Sequence, residues 1–343
     1  MRIGVDVMGG DHAPDEILKG CLEALELLSP DDTLVLIGPE GEIREHVSER
    51  GIDDPRIEIA HAPDAIGMDE SPAMAVRSKV ESSIVKMMIL GSQKAEKAGG
   101  TRCDVVLSAG NTGACVAGSI MHMKRLPGVH RPGIAVTVPA FHGPVVLCDA
   151  GANTEPKGTH LWQYGVMAEV YAKQLLGIAE PRVALMNIGS EEAKGSDLVK
   201  QARDLLKATP DLNFIGYVEG RDFFAGHADV IITDGFVGNT ILKMAEGMAK
   251  SLFQAIAEEI VATDPELALQ FEPVVKSIYK KNDYHEYGGA PLLGVNGAMM
   301  IAHGSSEARS IRAAIRASRE FVSHRVNEHI VERLGQLETV EAS

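Results

Sequence analysis

The sequence predicts an α/β protein in which a mostly parallel sheet is covered by helices on both faces. Short apolar or β-branched runs alternate with amphipathic helical stretches along most of the chain, a pattern typical of parallel strands joined by helices. The strand runs are largely apolar, as expected of strands that are buried on both faces. Nearly every Gly-rich motif directly follows a predicted strand. Because open sheets of this class bind ligands outside the carboxyl ends of their strands, we expect the functional site there.

The predicted elements follow from these runs in chain order. Amphipathic helices are predicted at the stretches Ile17–Leu28, Ser71–Leu90, Thr159–Leu176 and Asp197–Ala208. Strands are predicted at the runs Arg2–Val7, Thr33–Ile37, Ile57–Ala60, Val105–Ser108, Ile134–Val138, Val145–Cys148, Arg182–Asn187, Asn213–Val218 and Val230–Thr233. Together they predict a single α/β domain over residues 1–337, followed by a disordered tail at 338–343.

Residues 239–282 are predicted to form a long helical hairpin that protrudes from this domain. The segment lacks strand signals and contains two helical stretches broken at Thr263–Pro265, the first with an apolar stripe at helical spacing. We interpret the hairpin as an arm for dimerisation, with an intrachain helix pair as the alternative. The second helix is apolar and ends in Lys276, Lys280 and Lys281. Contact with a membrane interface is therefore an alternative to ordinary packing.

Composition excludes several classes of protein. The chain has 343 residues, of which 45% are hydrophobic and 24% charged. These values are ordinary for a globular protein and exclude collagen-like, disulfide-scaffold and disordered chains. The net charge of −15 argues against nucleic acid as a partner, because phosphate neutralisation on a duplex needs a broad basic face. A small anion held by a few backbone N–H groups remains compatible with this charge.

Cysteine spacing and hydropathy predict a cytoplasmic protein. The four cysteines lie far apart and lack metal-ligand spacing, so neither a disulfide framework nor a zinc site is expected. The N-terminus has no apolar stretch of signal-peptide length. The uncharged stretches 105–123 and 287–306 are interrupted by glycine, proline or polar residues, so no membrane-spanning helix is expected.

The first candidate motif is DVMGGDHAP, which directly follows the opening strand. Gly9 and Gly10 allow a tight turn that presents backbone N–H groups, and Asp11 and His12 place an acid–base pair beside it. The motif matches neither the dinucleotide fingerprint nor the P-loop. The alternative is a simple strand–helix turn in which Asp11 caps the helix.

Two further motifs, SAGNTGA and DAGAN, also follow buried strands. Small residues before a helix start make a cradle for an anion, and hydroxyl or amide side chains add donors to it. A tight turn alone rarely needs Ser, Asn and Thr together, so we favour a binding role over a structural turn. The candidate ligand-binding residues in these loops are Ser108, Asn111, Thr112, Asp149, Asn153 and Lys157.

Three later motifs complete the set. In NIGSEEAKG, Lys194 is placed to neutralise a phosphate or a developing oxyanion, with a solvated loop lysine as the alternative. In YGGAPLLG, two leucines between glycines predict either contact with a long apolar ligand or a buried turn. The remaining candidates from the motifs DGFVGNTILK and YGGAPLLG are Asp234, Asn239, Lys243, Leu292 and Leu293.

Polar Gly loops at several strand ends predict a site rich in backbone N–H groups, asparagine and isolated lysine. Such a site suits phosphate and an acyl oxyanion. It does not suit a hydride carrier, because the dinucleotide fingerprint is missing. The sequence also lacks GxSxG and has no Cys beside a His, so a covalent nucleophile is not indicated.

Taken together, DVMGGDHAP, SAGNTGA, DAGAN, NIGSEEAKG, DGFVGNTILK, YGGAPLLG and HGSS resemble the bacterial phosphate acyltransferase family. The motifs occur in the family's order and span nearly the whole chain. The sequence departs from the family pattern within Asn153–His160, although Lys157 and His160 are kept, and at Asn296, where a basic residue is more usual. The resemblance implies a three-layer α/β/α sandwich similar to phosphotransacetylases and isopropylmalate dehydrogenases, and a homodimer.

The reaction implied by the resemblance is attack of inorganic phosphate on the thioester of a fatty acyl-acyl carrier protein. It yields acyl phosphate and free carrier protein, and it supplies acyl phosphate for the acylation of glycerol 3-phosphate in phospholipid synthesis. No metal or organic cofactor is implied. Because of their shared position at strand ends, we expect Lys194, Asn239 and the Gly9–His12 loop to surround the phosphate and the thioester carbonyl, with His12 as a third candidate catalytic residue.

An acidic enzyme needs a local basic face to bind an acidic carrier protein. The candidate face consists of Arg309, Arg312, Arg316 and Arg319, spaced along one side of a predicted helix. Pairing of these arginines with neighbouring Glu residues is the alternative, and the three lysines of the hairpin form a second candidate patch.

Two other functions remain open from the sequence. One is a phosphotransacetylase that acts on a short acyl-CoA, and the other is a non-catalytic membrane scaffold that recruits a lipid enzyme. If the protein transfers acyl groups to phosphate, we also expect peripheral membrane association and contact with a membrane-bound glycerol-3-phosphate acyltransferase.

Overall fold

A computed structural model describes residues 1–140, 142–263, 271–274 and 288–341, with side chains described up to Leu337. Within these residues the chain forms an eleven-stranded sheet with the strand order β3-β2-β1-β4-β11-β10-β5-β6-β9-β7-β8. Helices cover both faces of the sheet, and most strand pairs are parallel. The predicted α/β fold with a mostly parallel sheet is therefore confirmed.

The strands and helices have the following bounds. The strands are β1 Arg2–Asp6, β2 Thr33–Gly38, β3 Ile57–His61, β4 Val105–Ser108, β5 Gly133–Val138, β6 Val145–Cys148, β7 Val183–Asn187, β8 Phe214–Glu219, β9 Val230–Ile232, β10 Ala290–Leu293 and β11 Ala298–Ile301. The α-helices are α1 Asp15–Glu23, α2 Glu40–Glu49, α3 Pro72–Ser78, α4 Ser83–Leu90, α5 Gln93–Lys97, α6 Thr112–Gly118, α7 Gly158–Leu176, α8 Asp197–Ala208, α9 Gly235–Thr263, α10 Ala308–Ser323 and α11 Val326–Glu341. Residues 271–274 are also helical.

The sheet consists of two parallel blocks that run in opposite directions. Strands β3, β2, β1, β4 and β11 are parallel to one another, as are β6, β9, β7 and β8. Between the blocks, β10 is antiparallel to β11 and to β5, and β5 is antiparallel to β6. The register pairs Leu107 with Met300, Met300 with Pro291, and Ala135 with Cys148. The carboxyl ends of β4, β11 and β6 therefore reach nearly the same height in the sheet from opposite directions.

The core lies on both faces of the sheet, as the alternation along β2 illustrates. Leu34 and Leu36 belong to the apolar cluster formed with α1, α7, α10 and α11. Val35 and Ile37 belong to the cluster on the opposite face, formed with α3, α4 and α6. Since side chains along a strand alternate between faces, one apolar run fills both layers.

Several predicted boundaries differ from the structure. The helix predicted over Ser71–Leu90 is two helices, α3 and α4, because Ser82 caps a new start by accepting the Val85 N–H at 3.4 Å. The predicted helix over Ile17–Leu28 becomes a 3₁₀ turn after Glu23. The structure also contains two strands, β10 and β11, that the sequence does not predict. At the other end, α11 continues to Glu341, into the segment predicted to be disordered, and 342–343 lie outside the described residues.

The first helix of the predicted hairpin is one continuous helix, α9. Beyond its first turns it makes few contacts with the domain, and Met244, Met248 and Leu252 are 68%, 70% and 56% exposed. Most of the second predicted helix, including its three lysines, lies outside the described residues. Among the described helices, none combines the length and apolar character needed to cross a bilayer.

Candidate active site

The Gly9–His12 loop is anchored beneath by a buried carboxylate at the end of β1. Asp6 accepts the Ser108 hydroxyl at 2.7 Å and the Met8 N–H at 3.1 Å. Burial raises the pKa of Asp6, although these donors act in the opposite direction. Gly9 packs so closely on the loop after β4 that a Cβ would lie 2.6 Å from the Gly110 nitrogen. The loops that follow β1 and β4 are therefore in direct contact.

The same loop contacts the segment that follows β11. Gly10 adopts a φ of +110°, and the Asp11 N–H donates to the Gly304 carbonyl at 2.7 Å. A side chain at Gly10 would be strained at this φ. Asp11 and His12 are exposed next to this contact. Three strand ends, those of β1, β4 and β11, are thus brought together.

In the loop after β4, two of the predicted ligand-binding side chains are used to hold the protein together. Ser108 is buried and donates to Asp6. The Asn111 amide donates to the carbonyls of Gly67, Met68 and Glu70, while its oxygen accepts the Ala114 N–H. Direct binding by Ser108 and Asn111 is therefore corrected to a role in fixing the loop. Thr112, at the start of α6, remains exposed.

In the loop after β6, Asp149 and Asn153 are also structural. Asp149 is fully buried and accepts the N–H groups of Ile134, Gly151, Ala152 and Asn153 at 2.7 to 3.2 Å. Burial nevertheless raises the pKa of Asp149. The Asn153 amide donates to the Pro132 carbonyl and to the Tyr164 hydroxyl, each at 2.7 Å. The predicted substrate contacts of both side chains are replaced by hydrogen bonds within the fold, which shape this loop.

The start of α9 is docked on this loop. Asp234 caps the helix by accepting the Val237 N–H at 2.9 Å, and the Gly235 N–H donates to the Asn153 carbonyl at 2.7 Å. One turn later, Asn239 is exposed and lies beside Gly151, at which an added Cβ would be 3.7 Å from the Asn239 Cβ. Asn239 therefore lies near the carboxyl end of β6.

Lys243 connects the two blocks of the sheet. It lies one turn after Asn239 on α9, and its Nζ is 2.5 Å from His303 Nε2 and 3.1 Å from Glu246 Oε2. Because His303 follows β11, this contact joins α9 to the strand ends of the other block. Asn239, Lys243, His303 and the Gly9–His12 loop therefore lie near one another, and we call the space between them the cleft. His303 lies in the HGSS motif, but the sequence does not indicate a site role for it, because β11 is not predicted as a strand.

The remaining predicted site residues lie in an exposed loop, at a helix start or within the core. Lys194 is exposed in the 187–195 loop, which Asn187 stabilises by donating to the Gly189 carbonyl at 3.0 Å. Lys157 lies at the start of α7, where its N–H donates to His160 Nδ1 at 3.1 Å. Leu292 and Leu293 are fully buried in β10. The alternative of a buried segment is correct for these two leucines, and contact with an apolar ligand is not.

Two of the four arginines of α10 contact the turn after α1, and the other two are exposed. Arg312 contacts Glu26 at 3.3 Å, and Arg319 contacts Asp32 at 3.0 Å and also donates to the Leu27 carbonyl. These two arginines hold α10 against the turn after α1. Arg312 pairs with a Glu residue, as in the alternative, whereas Arg319 pairs with an Asp residue. Arg309 and Arg316 are exposed on the same helix, so the predicted basic face is narrower than the sequence suggested.

A thiol nucleophile is disfavoured by the environment of the four cysteines. All four are buried and unpaired. Burial raises the pKa of Cys103 to about 11 and of Cys115 to about 12, and it raises those of Cys21 and Cys148 as well. Because the thiolate is the reactive form, these side chains are inert near neutral pH. Within the part of the chain that the structure describes, His, Cys, Asp and Glu residues form no group suited to a metal ion.

Comparison with known proteins shows extensive similarity. Residues 1–329 match the family described as "Fatty acid synthesis protein". The phosphate acyltransferase of Dictyoglomus turgidum is 42% identical over 340 residues, which cover 98% of each chain. That of Desulfitobacterium hafniense strain DCB-2 is 45% identical over 337 residues, covering 97% of this chain and 98% of the relative. A solved phosphotransacetylase from Streptococcus pyogenes has a similar fold, with a TM-score of 0.63 at 15% identity over 94% of each chain.

Proposed function

The chain belongs to the phosphate acyltransferase family of fatty acid synthesis proteins, and we propose that it transfers a fatty acyl group from acyl carrier protein to inorganic phosphate. The products are acyl phosphate and free carrier protein. Acyl phosphate is then the donor for acylation of glycerol 3-phosphate in phospholipid synthesis. The family membership supports the acyltransferase class, and the carrier substrate is the further step that we propose.

The observation that carries this proposal is the contact of Lys243 with His303 across the cleft. It places a cationic side chain from one block beside the glycine-rich loops from the other, where an anionic nucleophile can be held near an acyl group. Phosphate is itself a nucleophile, and all four cysteines are buried, so direct transfer without an acyl-enzyme fits the site. Each donor placed at the thioester oxyanion contributes about 2.7–4 kcal/mol to catalysis.

Within this cleft we assign the following roles. Asn239 stabilises the thioester oxyanion, Lys243 binds phosphate, and the exposed Asp11–His12 pair closes the opposite wall of the site. We also assign Lys194, in the exposed 187–195 loop after β7, to neutralising the same anion. These roles rest on the position of each side chain at a strand end and on the chemistry that an oxyanion requires.

The partners follow from the surfaces around the cleft. Arg309 and Arg316 provide a cationic face for the acidic carrier protein. The exposed apolar residues of α9 fit a second copy of this chain, which makes a homodimer the proposed assembly. Peripheral membrane association through the same arm, beside a membrane-bound acyltransferase, predicts binding to lipid vesicles. Sedimentation of the protein alone and with anionic vesicles separates the two kinds of contact.

The test compares two acyl donors at matched concentrations of phosphate. We expect phosphate-dependent release of free carrier from a long-chain acyl-acyl carrier protein, with far slower release of CoA from acetyl-CoA. A preference for acetyl-CoA would instead establish the second candidate, a phosphotransacetylase, which is favoured by the fold shared with the Streptococcus pyogenes enzyme. If the folded protein consumes neither thioester, the acyltransferase proposal is wrong and the non-catalytic membrane scaffold is the function that remains.

A further inference from the structure

His303 has hydrogen-bond partners at both ring nitrogens. Its Nδ1 lies 2.8 Å from the Ser305 hydroxyl, and its Nε2 lies 2.5 Å from Lys243 Nζ. The Ser305 main-chain N–H also donates to Nδ1 at 3.2 Å, and the Lys243 ammonium can only donate, so a donor faces each ring nitrogen. Nε2 is therefore the ring nitrogen that is directed at Lys243, beside the cleft.

Contacts from the Gly9–His12 loop and from α9 position the segment around His303. Asp11 donates its N–H to the adjacent Gly304 at 2.7 Å, which seats the loop after β11 on the Gly9–His12 loop. On the α9 side, Glu246 lies 3.1 Å from Lys243 Nζ and 4.0 Å from His303 Nε2. The imidazole is still 34% exposed. It is therefore held in one orientation and remains accessible to a molecule bound in the cleft.

Acyl transfer from a thioester to phosphate requires the movement of one proton. The hydrogen phosphate dianion attacks the carbonyl through an oxygen, the C–S bond breaks, and the thiolate departs with the electron pair of that bond. The product acyl phosphate has lost the P–OH proton, and the thiolate needs one proton to leave as a thiol. A single group that takes the first proton and returns it to sulfur balances the reaction without any co-reactant.

We propose that His303 is this proton-transfer residue. The inference rests on the proposed function, because it assumes a thioester and phosphate in the cleft. Phosphate bound by Lys243 brings its P–OH to the nitrogen that Lys243 now contacts, and Nε2 takes the proton as the new C–O bond forms. The imidazolium then gives this proton to the departing sulfur. Imidazole is the side chain best suited to exchange protons near neutral pH, and the contacts of Ser305 with Nδ1 position the ring.

The test measures how the rate depends on the leaving thiol. Two thioesters of one fatty acid are compared, an N-acetylcysteamine thioester with a basic leaving thiolate and a 4-nitrothiophenol thioester with a weakly basic one. For His303→Gln, which keeps the polarity but not the basicity, we expect kcat on the alkyl thioester to fall by about 10²-fold or more. On the aryl thioester the same variant should stay within about tenfold of the wild type, because that thiolate leaves without a proton.

The control variant is His324→Gln, an exposed histidine at the end of α10, which should match the wild type on both substrates. An equal loss by His303→Gln on both thioesters, or no loss on either, would overturn the proton-transfer role. The wild type reports separately on the proposed function. If folded wild type releases thiol from no thioester in a phosphate-dependent manner, the proposed function fails and the role of His303 fails with it. If only short acyl-CoA is consumed, the leaving-thiol comparison still decides the role of His303.

Discussion

The main-chain oxygen of Asp149 occupies the space that a Cβ on Gly238 would need. This contact seats the first turn of α9 on the loop after β6 and so positions Asn239 and Lys243 in the cleft. We expect Gly238→Ala to lower the free energy of unfolding by more than about 2 kcal/mol, since the rigid backbone must move. Thermal unfolding followed by circular dichroism checks this.

Gly247→Ala is the matched control on the same helix, because an added Cβ there meets nothing within 4 Å. Alanine favours a helix over glycine by about 0.8–1 kcal/mol, so this variant should be as stable as the wild type or slightly more stable. Equal destabilisation by both substitutions would contradict the close approach at Gly238.

Asn239 and Lys194 are predicted to act in catalysis. We expect Asn239→Ala and Lys194→Ala each to reduce kcat/KM for acyl transfer by at least about tenfold, or about 1.4 kcal/mol, by removing a donor to the developing charge. Initial-rate assays at fixed phosphate measure this. Lys207→Ala, an exposed lysine paired with Glu192, serves as the control. Changes within about threefold in both variants would show that the site is wrongly assigned.

Asp32 joins three parts of the structure. It accepts hydrogen bonds from the N-terminal ammonium at 2.9 Å and the Ser29 N–H at 2.8 Å, and it lies 3.0 Å from Arg319. Burial acts to raise the pKa of Asp32, but these three groups together hold that pKa below its ordinary value. Asp32→Asn should therefore lower the free energy of unfolding at pH 7 by roughly 1–3 kcal/mol.

The pH dependence of this difference has a defined sign. A depressed folded-state pKa contributes stability that is present above the unfolded pKa, about 3.9 for aspartate, and is lost as the pH falls through the folded pKa. The gap between wild type and Asp32→Asn should therefore narrow below about pH 4. Urea denaturation across this range measures it, and a gap that widens on acidification would be inconsistent with the ion pair.

Asn111 anchors the segment Gly67–Glu70 by donating to three carbonyls. Asn111→Asp replaces the donor with a carboxylate facing those oxygens, so we expect a loss of roughly 2 kcal/mol or more in unfolding free energy. Amide hydrogen exchange within 67–70 should accelerate. In the control Asn213→Asp, an exposed amide is changed, and stability should shift by less than about 0.5 kcal/mol. Unchanged exchange in Asn111→Asp would rule out the anchoring role.

Arg309 and Arg316 are predicted to attract the acidic carrier protein. Charge reversal to Glu at both positions should raise KM for acyl-acyl carrier protein at least about fivefold, with little change in kcat and a weaker dependence on salt. KM for a small acyl thioester should not change. The control is Arg44→Glu, which reverses the charge of a residue on α2 whose side chain is 67% exposed. An equal rise in KM in the control would indicate a general effect of net charge.

The sequence was sufficient for the α/β class because its apolar runs are long and are separated by helices of clear periodicity. It was not sufficient for β10, because Ala290–Leu293 contains a proline and is flanked by glycines, and the strand pairs on one side with the distant strand β5. Most of the polar motifs follow strands, as predicted, but the type of a residue does not reveal which group it bonds to in the fold. The sequence around Asn111 predicts an anion ligand, but in the fold its amide donates to the Gly67 carbonyl. The role of His303 depends on Lys243, which the fold of α9 places next to it.

The position of β10 and β11 in the sheet has a consequence for biosynthesis. These strands are formed by Ala290–Ile301, near the end of the chain, yet they lie between β4 and β5 and are the link between the two blocks. While the chain is still being made, the strands of both blocks other than β11 can pair, but the seam between the blocks stays open. The cleft therefore closes only after Ala290–Ile301 has been made, and a nascent chain halted before Ala290 lacks both His303 and the strands that join the blocks.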